Sequence, residues 1–194
     1  MMYALATVVL AAAPGLAVLQ AVSEPGVDFC VECCSLYCAA APTLTVSNHL
    51  APQGGNDYGP PALEDGAGGT AWVVRSGVGE WFEFAFEASG LHPDFAVKND
   101  RVGVNSLALL NGYNKSEKHW RDHSRIRQLR LAIDGRDTAL INLLDQGQSQ
   151  RVDLPPALIH PGTSLRFTIT RTFPGARFDE TALSEARLDG YGHH

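Results

Sequence analysis

His119 and His123 stand four residues apart, the spacing that puts two imidazoles on one face of a helix where they can hold a metal. Their neighbours argue against that use. Lys115 to Arg130 carries six Lys or Arg residues against Glu117 and Asp122, a poor place for a cation, and reads as a solvated basic loop. The adjacent acids Asp179 and Glu180 would point to opposite faces of a strand and could not flank one glycosidic bond. The chain has no GxSxG, P-loop or HExxH motif, and no cysteine beyond residue 38. Its reactive side chains therefore suit binding better than catalysis, and no catalytic residue is assigned.

The more informative residues lie on three turn-rich segments. Gln53 to Trp72 is too rich in Gly and Pro for a strand, yet carries Asn56, Tyr58, Asp65, Thr70 and Trp72. Long ordered loops of this kind usually carry function. Asn111 to Ser116 has the same character, and Phe178 to Glu185 leads into a final apolar run. A loop that binds a ligand offers aromatic faces and planar hydrogen-bonding groups. Tyr58, Tyr113 and Trp120 are candidate faces, and Asn56, Asn111, Lys115, Arg121 and Arg125 are candidate hydrogen-bonding groups. For Tyr58 and Tyr113 the alternative is a buried ring that anchors its loop. Trp72 and Trp81 abut apolar runs and read as core. The basic residues favour an acidic ligand, although a basic loop on an acidic domain equally suits a protein partner.

These loops need a scaffold, and the scaffold reads as β. Thr43–Ser47, Trp81–Phe86, Val102–Leu110, Leu129–Ile133, Thr138–Leu144, Gln150–Leu154, Leu165–Thr172 and Ala182–Leu188 are short apolar or alternating runs between turn residues. Asp134-Gly135 is a type I′ hairpin signal between two of them. About eight strands in about 150 residues suit a jelly-roll sandwich. The only helix candidate, Ser116 to Arg127, lacks a continuous apolar stripe.

Composition separates this domain from what precedes it. The 194 residues carry a net charge of −6, which argues against a nucleic-acid partner. The first basic residue is Arg75, and residues 1–22 are almost wholly apolar. That tract reads as a signal peptide, with cleavage near Gly15-Leu16-Ala17 or Leu19-Gln20-Ala21, or as a membrane anchor interrupted by Pro14-Gly15. A mis-chosen start or a buried segment is the remaining alternative. Residues 23–42 form a linker holding all four cysteines, Cys30, Cys33, Cys34 and Cys38. An exported chain favours disulfides there over zinc, with Cys33–Cys34 the least suitable pair, and a lipid-modified linker is a further alternative. The sandwich domain spans 43–189, and 190–194, ending in His193-His194, reads as a frayed tail.

Four segments, "PQGGNDYGPPALEDGAGGTAW", "GVGEWFEFAF", "LLNGYNKSEKHWRDHSRIRQLRLAIDG" and "FPGARFDETALSEARL", together resemble the NADase-type glycan-binding domain. That family is related to the discoidin and galactose-binding-like β-sandwiches. The resemblance covers roughly Thr43 to Asp189 and implies a galactose-binding-like (discoidin-type) jelly roll without catalytic activity. It implies a secreted, periplasmic or envelope-associated bacterial module that binds glycans, with sugar C–H surfaces on the aromatic faces and hydroxyls on the planar groups named above, and the basic loop residues then favour acidic or sulfated glycans. A protein–protein or adhesion module on the same sandwich is the alternative. The resemblance also implies one structural Ca²⁺, held by Asp65, Thr70 and Glu185 with carbonyls of Ala62, Ala67 and Ser184, and no organic cofactor. The family's Asp-Gly-Asp is Asp65-Gly66-Ala67 here, so one potential carboxylate is missing.

Overall fold

The computed structural model describes residues 15–26, 35–92 and 102–192. The strands are β1 (Ala17–Gln20), β2 (Val22–Ser23), β3 (Thr43–Val46), β4 (Trp72–Val74), β5 (Trp81–Ala85) and β6 (Val102–Asn111). They continue with β7 (Ser124–Ile133), β8 (Arg136–Asn142), β9 (Gln150–Leu158), β10 (Ser164–Phe173) and β11 (Thr181–Gly192). Two short helices, α1 (Ser35–Ala39) and α2 (Glu117–Asp122), interrupt them. Each of the eight runs read as strands overlaps one, and the Asp134-Gly135 turn joins β7 to β8 with φ of 50° and 75°.

The strand path runs β2-β9-β6-β11-β7-β10-β5-β3, with β4 on β11, and β8 on β7. It turns a corner at β11 and β7, which pair in parallel only at Thr181–Ser124 and Ala182–Arg125. On either side of this corner, alternate side chains face a shared interior. Phe82, Phe84, Leu129, Leu131 and Phe167 from one run join Val104, Leu107, Leu109, Val152 and Leu188 from the other in one cluster. Phe82 stacks on Phe167 at 5.0 Å, and each buried Phe contributes about 1.5–3 kcal/mol. No helical layer is needed to close this core, so loops cover the ends of the sandwich.

The N-terminal reading changes. Residues 1–14 lie outside the described residues, but β1 pairs in parallel with β8 and β2 pairs with β9. Ala21, between them, is in the core. Residues 17–23 therefore add strands to both sheets, and either proposed cleavage site would cut at or inside them. The linker reading of 23–42 also gives way in part. Leu36, Ala39 and Ala40 are buried in the core, so the folded body begins before Thr43. Cys38 is exposed, and Cys30, Cys33 and Cys34 lie outside the described residues, as do His193 and His194. Among the described residues no helix is long and apolar enough to cross a membrane.

Candidate functional site

The 49–70 loop, the 111–123 segment and the 174–180 loop meet at one end of the sandwich. The first loop is shaped by a tight turn in which Gln53 and Asn56 exchange backbone bonds at 3.0 Å, with Gly54 and Gly55 at positive φ. A short 3-10 turn, Pro60–Leu63, then fixes the loop by burying Leu63 completely. The second segment leaves β6 through Asn111 and Gly112. At Gly112, φ is +90°, and a Cβ would stand 2.6 Å from the Trp120 ring, so only glycine allows that ring its seat. Ser116 then caps α2 by accepting from the His119 backbone N–H at 3.3 Å. The basic stretch is thus a capped helix running into a strand, rather than a solvated loop.

Three cavities open here. One of about 340 Å³ lies among Asn56, Tyr58, Tyr113, His119, His123 and Phe178, with Glu180 also lining it. A second of about 250 Å³ shares Asn56 and Tyr113 with it and reaches Asp65 and Thr70. A third of about 370 Å³ is lined by Trp120, Asn114 and Glu117.

Among the expected ligand contacts, Asn56, Tyr58, Lys115 and Trp120 are at this face, half-buried or exposed. Lys115 Nζ donates to Asn56 Oδ1 at 2.8 Å, bridging the two loops. Tyr113 is 3% exposed and forms the floor, edge-on to Tyr58 at 6.4 Å. Burial, together with the neighbouring Tyr58, raises the Tyr113 pKa. Three residues differ from expectation. Asn111 is fully buried, its amide donating to the Ile126 carbonyl at 2.7 Å and accepting from the Ile126 N–H at 3.1 Å. It holds β6 to β7 and cannot reach a ligand. Arg125 is buried and bonded to Asp145, with its guanidinium 4.4 Å from the Trp120 ring centroid. Arg121 is exposed and pairs with Glu117 at 3.4 Å along α2.

Sequence reasoning missed His119, His123, Phe178 and Glu180. The His119 and His123 rings stack at 6.4 Å, and Tyr113 meets both edge-on. The i,i+4 spacing was the available signal, but it marks a cavity wall here. Asp179 and Glu180 lie before β11 in irregular backbone, so the strand alternation expected for them does not apply. Trp72 is core, whereas Trp81 lies on an outer sheet face with Arg166 stacked on it at 4.0 Å.

Asp65, Thr70 and Glu185 do come together. Thr70 Oγ1 lies 2.7 and 3.0 Å from the Asp65 oxygens, and Asp65 also accepts from the Ala67 N–H at 2.8 Å. Glu185, on β11, is 1% exposed, and neither of its oxygens has a hydrogen-bond partner. Burial first, and then the Asp65 carboxylate, pushes its pKa up to about 8. The Gly66 and Ala67 amides oppose that shift without bonding either oxygen in good geometry. Ala62 lines the same cavity as Asp65, and the Ala67 carbonyl accepts from Thr70. Ser184 is buried, donating to the Gly68 carbonyl and accepting from the Asn114 N–H. Among the described residues no three of His, Cys, Asp or Glu converge on one point.

A jelly roll with its polar and aromatic residues gathered on loops at one end defines a discoidin-type β-sandwich. The chain belongs to the NAD glycohydrolase translocation F5/8 type C domain family, whose model matches residues 36–189. Solved structures give the same fold. A CBM32 module of Clostridium perfringens, in complex with GalNAc-β-1,3-galactose, superposes with a TM-score of 0.51 at 13% identity. That likeness covers 76% of this chain and 94% of that one. The paired CBM32 domains of Clostridium perfringens ZmpB, in complex with GalNAc, give 0.58 at 9% identity, covering 94% of this chain and 41% of theirs. The mycobacterial arabinofuranosyltransferase AftD gives 0.51 at 17% identity, over 93% of this chain and 12% of that one. No curated protein matches the chain.

Proposed function

We propose that this domain is a non-catalytic glycan-binding module of a secreted or envelope-associated bacterial protein. The observation that carries this reading is the loop end itself. There the half-buried Tyr58 and Trp120 rings border cavities also lined by Asn56 and Asn114. This pairs the apolar face and planar polar groups that a sugar requires. The saccharide complexes of the two CBM32 structures support it as relatives of the fold. A glycan array on the whole chain tests it. Retention on immobilised saccharide that is lost in Tyr58→Ala and Trp120→Ala is the expected result, and a blank array overturns the reading in favour of a protein partner.

A structural calcium belongs to the same proposal. Ca²⁺ takes six to eight hard oxygens, and a buried carboxylate without a donor beside a second carboxylate is a ready place for a cation. Asp65 and Glu185 supply charge, Thr70 a hydroxyl, and the Ala62, Ala67 and Ser184 carbonyls the neutral ligands. Calcium there would neutralise the two carboxylates and tie the 65–70 loop to β11.

A further inference from the structure

The loop-end cavity contains an acid that the glycan reading leaves unused. Glu180 lines it with no ion pair or side-chain hydrogen bond among the described residues. Five rings, Tyr58, Tyr113, His119, His123 and Phe178, line it with Leu50, Gln53, Asn56 and Val73. His123 Nδ1 lies 2.9 Å from the His119 carbonyl, which can only accept, so that nitrogen carries the proton. In the neutral ring, Nε2 is then a lone-pair acceptor.

Among the described residues no Lys or Arg lines this cavity, and of the cations nearby two are paired with acids and two contact neutral groups at its border. Lys115 bonds Asn56, Lys118 bonds Asp122, Arg125 bonds Asp145, and Arg177 lies 5.0 Å from the Phe178 ring centroid. With one face of Phe178 already taken and Tyr113 buried as the floor, the half-buried Tyr58 ring is the open platform. Aromatic faces are negative, and a carboxylate beside them adds to that potential. The lining itself therefore carries one acid, Glu180, and no Lys or Arg among the described residues, with Lys115 and Arg177 at its border.

We propose that the cavity binds a compact organic ammonium, presented as the free amine of a 2-amino sugar. The ammonium lies against Tyr58 with Glu180 as its counter-charge, and the sugar ring covers the remaining aromatic wall. This rests on the glycan reading of the same face and narrows it from glycans in general to aminated ones. A quaternary ammonium such as choline shares the chemistry, and the test separates the two sources.

The experiment is calorimetric titration of the whole chain at pH 7 with galactosamine, glucosamine, their N-acetyl forms and choline chloride. The expected result is that at least one free amine binds about ten-fold tighter than its N-acetyl form, the size of a cation–π contact with a paired charge. Glu180→Gln and Tyr58→Ala each remove that preference, with the melting temperature of Glu180→Gln unchanged. N-acetyl sugars binding as well as the free amines, or a preference that survives Glu180→Gln, overturns the inference and leaves the glycan reading standing. Choline binding with every sugar silent overturns the amino-sugar assignment, and silence of all five ligands overturns the inference. In both cases the glycan reading is decided by the array.

Discussion

The Arg125 guanidinium supports the Trp120 ring from 4.4 Å while its Nε and Nη2 bond the two Asp145 oxygens at 2.6 and 3.2 Å. Its Nη1 also donates to the His123 and Trp120 carbonyls at 2.9 and 3.3 Å. One buried side chain thus ties the end of α2 to the loop after β8 and fixes the ring that lines a cavity. A residue type that suggests anion recognition serves here as the base of an aromatic platform.

Arg125→Ala should therefore destabilise the fold before it affects any ligand. Breaking a buried pair costs about 3–5 kcal/mol, and the 40% exposure of the Asp145 side chain puts this one at the low end. Arg125→Lys should restore little, because an ammonium cannot reproduce the two-toothed bond or stack flat on the ring. Urea unfolding of the three proteins measures both differences.

Trp120→Ala and Tyr58→Ala should each weaken saccharide binding by about 1–3 kcal/mol, the range for losing an aromatic contact to a ligand. Arg121→Ala should change it little. Arg121 is exposed, and its pairing with Glu117 is a surface ion pair contributing roughly 0.5 kcal/mol to the helix. Calorimetry with one array-positive saccharide distinguishes these outcomes.

Asn111→Ala should unfold more readily by about 2–4 kcal/mol, since it orphans both the N–H and the carbonyl of Ile126 in the core. Asn111→Asp should not rescue it, because a carboxylate can accept from the N–H but has no donor for the carbonyl. Thermal melts of both variants test this.

The contrast between Asn111 and Asn56 shows where the sequence stops being legible. Alternation marked the strands because a half-buried strand has period 2, and WFEFAF and LRFTITRT both keep it. The loops keep no period, so exposure could not be read from them. Asn111, still on β6, faces inward, whereas Asn56 ends a tight turn at the surface. His119, Phe178 and Glu180 come from two segments over fifty residues apart, and nothing local records their meeting. The pairing of Asp65 with Glu185, far apart in the chain, was expected only through family resemblance. β1 and β2 were missed because an apolar tract without charges reads equally as a leader or as a strand.

Deleting residues 15–24 should expose the β8 and β9 edges that β1 and β2 cover. Uncovered edges pair with other chains, so the shortened protein should elute as oligomers in size-exclusion chromatography. Ala21→Asp keeps the strands but puts a carboxylate at a 6% exposed core position. It should cost at least ~2 kcal/mol. A monomeric, fully stable deletion variant would show that the domain does not need this segment.

Glu185 gives the metal question a readout independent of ligand binding. In the metal-free protein its folded pKa of about 8 lies above the ordinary value of 4.5. The unfolded chain therefore loses this proton at lower pH than the native state, and between those two values the native state holds more protons. Stability from this group is complete below about pH 4.5, falls as pH rises toward 8, and then levels off. Calcium needs the ionised carboxylate, so its binding should release the proton and restore stability most strongly near pH 8. Melting temperatures from pH 5 to 8.5, with chelator or with excess CaCl₂, should diverge as pH increases. Glu185→Gln should abolish the divergence, and superimposable curves for the unmodified protein would remove calcium from the Asp65–Glu185 site.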